Sequence, residues 1–199
     1  MQFSKIRLVA LKLSVLALAA ILLGLPGAGI AAVRQLAPLP QAKEPVLITP
    51  AGQGPGGAIA SVLCRRNKIE CKEFPMAKVE HIKGVKTLIV VMGSSQKGLG
   101  AAGISIDQEL TRVKGLIEEA KKQGVFVLGI HTEGEARRGG HCERVIDEIA
   151  HRVDYLIVRS DGNKDGRFDR IAQEKKVPMS IVDETAEVGE LLKGIFGKL

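Results

Sequence analysis

Tryptophan is absent from this chain of 199 residues, tyrosine occurs once and phenylalanine five times. Without aromatic side chains there is no platform on which nucleobases or sugar rings stack. The positive charge does not replace it. The formal net charge is +7, and removing Lys5, Arg7 and Lys12 with the first 32 residues lowers it to +4, with acids mixed throughout. No nucleic-acid partner is expected. At the start of the chain an uncleaved membrane anchor is the alternative to a cleaved signal, and cleavage after Ala31 or Ala32 is favoured. The apolar run 13–25 is bracketed by Lys12 and Pro26, short of the roughly 20 residues an uninterrupted span wants.

What stands there has the parts of a secretory signal. Lys5 and Arg7 give a basic start, residues 13–25 an apolar middle, and Gly29, Ala31 and Ala32 a small-residue cleavage site. The reading is a signal peptide over 1–32, a proline-containing tether over 33–45 and one α/β domain over 46–199. The membrane is met only through the signal segment during export, and the destination is periplasmic or extracellular. No cysteine lies near the cleavage site, which excludes a lipoprotein. The three cysteines of an exported chain invite a disulfide. Cys64 and Cys71 form a plausible pair, with two small buried thiols as the alternative.

Four apolar runs, 46–49, 87–92, 125–130 and 155–158, each end in a glycine-rich polar loop, and three of these loops lead into an amphipathic stretch. Runs without polar interruption are strands buried on both faces, as in a parallel sheet. Ser105 and Gln108 make a capping-box pair for a helix with Ile106, Leu110, Val113, Ile117 and Ala120 on one side. Pro55 suits the opening of the first helix, and residues 69–74 read as an edge strand. The fold expected is a three-layer α/β/α sandwich with a mostly parallel five- or six-stranded sheet, in flavodoxin-like or Rossmann-like order.

Ligands of such sheets sit outside the carboxyl ends of the strands. Gly93–Gly98 looks like a P-loop but fails in detail: Lys97 precedes Gly98, and Leu99 stands where a magnesium-binding hydroxyl belongs. Ser94, Ser95 and Lys97 remain candidates for phosphate or carboxylate. Between residues 131 and 141, Arg137 and Arg138 can grip an oxyanion. His131, Glu133, Glu135 and His141 could instead approach a transition metal, although their spacing matches no compact zinc pattern. Asp161, Asn163, Asp165 and Asp169 imitate a calcium loop that lacks its final bidentate acid, since Ala172 stands there. A helix cap at Asp165 is the simpler account.

The strings GSSQKGLGAAGISIDQE, GEARRG and DGNKDG, on this strand–helix order, resemble a family of exported bacterial proteins carrying only a domain-of-unknown-function label. The likeness runs from about Pro45 to Phe196. It implies the exported α/β domain and assigns no activity, cofactor or site residue. The function expected from the residues is a module that binds a small anionic ligand through Gln53, Ser94, Ser95, Lys97, Arg137, Arg138 and Lys164. Two alternatives stand beside it. One is a hydrolase or transferase with Glu133 or Glu135 as base and Ser94 or Cys142 as nucleophile. The other is an envelope interaction domain with an exposed apolar patch away from the loops.

Overall fold

The computed structural model describes residues 34–35 and 38–198, all within the unit Ala32–Leu199. The signal reading over 1–32 lies outside the described residues. Seven strands form one sheet: β1 (Arg34–Gln35), β2 (Val46–Ala51), β3 (Cys71–Glu73), β4 (Thr87–Met92), β5 (Phe126–His131), β6 (Tyr155–Arg159) and β7 (Met179–Val182). Their order is β1-β7-β6-β5-β4-β2-β3. Six strands run parallel, and β1 alone lies antiparallel, on β7. From β2 the chain steps outward to β3, returns past β2 to β4 and then marches away. That reversal is the flavodoxin-like order, lengthened by the parallel β7 and the antiparallel β1, with its switch point between β2 and β4.

The helices are α1 (Gly56–Arg66), α2 (Gln96–Ala102), α3 (Ile106–Lys122), α4 (His141–Ile149), α5 (Arg167–Lys175) and α6 (Thr185–Ile195). Period-two alternation sorts each strand into two cores. Leu88, Val90 and Met92 of β4 join Val113 of α3, Val145 of α4 and Phe168 of α5. Ile89 and Val91 join Ala60 of α1 and Leu192 of α6 on the other face. All six β4 residues are buried, which is why TLIVVM carries no polar residue after Thr87. The three layers follow directly.

The expected capping box is present: Ser105 Oγ accepts from Gln108 N at 3.2 Å, and Ser105 N donates to Gln108 Oε1 at 2.8 Å. Residues 93–105 are not a single long loop, because α2 occupies their middle. Ser95 Oγ accepts from Gly98 N at 3.1 Å to start it, and Gly103, with φ 66°, ends it. The three cysteines are free thiols. Burial, reinforced by the neighbouring Cys71 thiol, pushes the Cys64 thiol up to about 12. The segment read as a tether touches the domain: Ala42 N donates to Ile195 O at 2.9 Å, and Thr87 Oγ1 donates to Lys43 O at 2.7 Å. Among the described residues no helix is long and apolar enough to cross a membrane.

Candidate functional site

The switch point is closed by its own backbone. Gly54 N donates to Gly93 O at 2.9 Å, Ser95 N donates to Gly52 O at 2.8 Å, and Gln53 forms an antiparallel bridge with Ser94. The loops after β2 and β4 therefore lie on each other. A Cβ at Gly54 would stand 2.3 Å from Gly93 O, and one at Gly98 would stand 2.0 Å from Gln53 O. These glycines are required by contact between main chains, not by a ligand.

An ion pair beneath fixes the seal. Glu109, fully buried on α3, accepts from Gly52 N at 2.9 Å and from Gln53 Nε2 at 3.1 Å. Arg112, one turn on, donates to both Glu109 oxygens at 2.8 Å and to the carbonyls of Pro50 and Ala77 at 2.8 and 3.1 Å. A buried charge pair is tolerable only when its remaining hydrogen-bonding positions are met, and here they are. Reading by motif missed both residues. The signal was present, since Glu109 falls on the same side of α3 as Ile106 and Val113.

One crevice over, between the β4 loop and the start of α4, the edge is open. A cavity of about 400 Å³ is lined by Ser94, Ser95, Gln96, Lys97, Ala136, Arg137, Arg138, Gly139, Gly140, His141 and Cys142, with no acidic side chain among them. Gly139 and Gly140 adopt φ 85° and 53°, and a Cβ at either would meet nothing within 4 Å. Gly139 N already donates to Glu143 Oε1 at 2.8 Å, and Gly140 exposes its backbone beside the N-terminus of α4, the arrangement that favours an anion. Cys142 Sγ accepts from Ser94 N at 3.1 Å. Burial raises its thiol, against the lowering effects of that backbone contact and of Arg137. Ser94 Oγ is buried without a partner.

The residues expected to bind divide into two groups. Ser94, Ser95, Lys97 and Arg137 meet at the cavity. Arg138 lines it too, but its guanidinium is committed elsewhere. It donates to both Glu143 oxygens at 2.8 and 3.0 Å, to both Asp165 oxygens at 3.1 and 2.7 Å, and to Gly162 O. These bonds raise the Arg138 guanidinium further and hold the Glu143 and Asp165 carboxyls below their usual range. Lys164 lies outside the cavity, paired with Glu135 at 2.6 Å. Gln53 turns away, donating to Glu109 and to Pro75 O.

The calcium-like residues are used locally. Asn163 Oδ1 accepts from Phe168 N at 2.9 Å, Asp165 Oδ1 accepts from Arg167 N at 3.1 Å, and Asp161 Oδ2 accepts from Arg159 at 2.6 Å. Among the described residues no three His, Cys, Asp or Glu side chains group as metal ligands. The fully buried His131 ring lies between the carbonyls of Met92 and Gly134, at 2.9 and 3.1 Å. Burial lowers its pKa, only partly offset by those two contacts. For the enzymatic alternative, neither Ser94 Oγ nor Cys142 Sγ is hydrogen-bonded to Glu133, Glu135 or His141.

Strand order and strand-end loops define a doubly wound, flavodoxin-like α/β domain with its switch point sealed and a cationic crevice beside it. The chain belongs to the DUF6305 family, described as a domain of unknown function, whose pattern matches residues 43–196. Comparison with curated proteins finds no match.

Proposed function

We propose that the protein is an exported binding module that holds a small anionic ligand in the crevice between Ser94–Lys97 and the start of α4. The observation that carries this reading is the lining, which combines Lys97, Arg137 and the exposed backbone of Gly140 and includes no carboxylate. Ser95 supplies its hydroxyl hydrogen, since its cap bond uses Oγ as the acceptor and its backbone N–H is given to Gly52 O. Export rests on the basic start, apolar middle and small-residue site of residues 1–32. Titration calorimetry with inorganic phosphate at low ionic strength tests the site, since screening weakens exposed charges. Lys97→Ala and Arg137→Ala should each weaken binding by about tenfold. Affinity equal to wild type in both variants would discard the crevice. Recovery of the full-length, unprocessed chain in the cytoplasmic fraction would discard export.

A second reading, an envelope interaction domain, is favoured by a shallow apolar cleft between α1 and α6, lined by Ala58, Ile59, Val62 and Ala186 among others. Val62 is 40 % exposed there. Crosslinking in intact cells that is unchanged by Val62→Glu would dismiss it.

A further inference from the structure

Glu133 sits where three strand ends meet. Its side chain is 8 % exposed, and Oε1 accepts from Arg137 Nε at 2.6 Å. Its other oxygen, Oε2, is buried and has no hydrogen-bond partner. Around that oxygen the chain carries glycine: a Cβ would stand 2.6 Å from it at Gly93, 2.9 Å at Gly56 and 3.2 Å at Gly54. Two of these glycines follow β2 and one follows β4, so separate loops clear one slot for one carboxylate. Gly56 also opens α1, which has no side-chain cap and no acid in its first turn. The positive end of that helix faces Glu133 and offsets part of the cost of burying the carboxylate.

The slot has a consequence for Arg137. With Nε tied to Glu133, its two Nη groups have no partner among the described residues, and the side chain lines the crevice. Arg138, its neighbour in sequence, has its Nε and both Nη groups engaged. An arginine held by Nε presents the Nη pair as a fork that matches two oxygens of a carboxylate or phosphate. We infer that Glu133 is a positioning residue: it aims the Nη fork of Arg137 at an oxyanion in the crevice, and Gly54, Gly56 and Gly93 hold Glu133 in place. The inference rests on the anion-binding reading above.

The experiment is a phosphate titration of the intact protein, followed together with the ¹⁵N–¹H signal of Arg137 Nε. Arg137→Ala and Glu133→Ala should each weaken phosphate by about tenfold. Glu133→Gln, which keeps an oxygen for Nε, should recover most of that loss. The Nε signal, protected from solvent exchange in the wild type, should become labile in Glu133→Ala. Gly93→Ala, which sets a methyl against Oε2, should reproduce the Glu133→Ala result with both partner residues retained. Wild-type affinity and a protected Nε in Glu133→Ala and Glu133→Gln, beside a weakened Arg137→Ala, would overturn the positioning role alone. No phosphate response in the wild type, or full affinity in Arg137→Ala, would overturn the anion reading and this inference with it.

Discussion

Two neighbouring crevices on one sheet edge are both rich in glycine, yet one is sealed and the other open. Between β2 and β4 the glycines bring main chains together: Gly52, Gly54 and Gly98 each face backbone closer than a Cβ tolerates. Between β4 and β5, Gly139 and Gly140 face empty space and serve a left-handed turn. The topological rule points to the first crevice. The Glu109–Arg112 pair closes it and leaves the polar cavity one strand away. Glycine in a strand-end loop reports close backbone approach or positive φ, and only the surroundings of the missing Cβ tell which.

The largest effect that tests this contrast comes from the seal. Glu109→Ala leaves the Arg112 guanidinium buried without its carboxylate, a loss of about 3–5 kcal/mol. For a domain of this size the melting temperature should fall by about 10 °C. Arg137→Ala, in the open crevice, should change stability by about 0.5 kcal/mol or less. Equal melting temperatures for the two variants would break the distinction between sealed and open.

A smaller effect separates glycines by what their Cβ would meet. Gly54→Ala drives a methyl into Gly93 O and should cost about 2 kcal/mol in urea unfolding. Gly100→Ala adds a methyl to open space within α2 and should stabilise by about 0.5 kcal/mol. A neutral Gly54→Ala would show that the loops part easily, and the switch point would again be a candidate site.

A further effect concerns Arg138 and depends on pH. Glu143 and Asp165 are held below their ordinary values of 4.5 and 3.8, chiefly by hydrogen bonds from Arg138. As pH falls the unfolded chain takes up these protons first, so the stabilisation is whole at neutral pH and drains away below about pH 4.5. Both acids are partly exposed, so Arg138→Ala should cost only about 1 kcal/mol at pH 7, and the gap from wild type should shrink by pH 3. A gap that widened in acid would refute the assignment of Arg138 to this network.

Much of the architecture was legible because strong local signals agreed with the tertiary outcome. The uninterrupted run 87–92 is a central strand, and Ser105 with Gln108 caps α3. The helix α2 was hidden because Gly98 and Gly100 lower helix propensity. Gly98 is there for its contact with Gln53 O, which no local pattern records. The site was legible only to the level of its loops. Arg137 and Arg138 are identical and adjacent, and what separates them is Asp165, 27 residues further on. Gln53 and Lys164 were diverted by Glu109 and Glu135, whose positions depend on how the loops fold back.

The two-residue strand β1 has a bearing on how the domain should be handled. Its backbone pairs with Ile181 and Ser180 and so covers the outer margin of β7, while the opposite margin, β3, is only three residues long. Short or covered margins are how sheet proteins avoid joining one another. A recombinant fragment begun at Val46 would keep every parallel strand and still lose this cover, together with the Ala42 bond to the last helix. Such a fragment would present the uncovered margin of β7, and size-exclusion chromatography should show it associating more than the full chain does.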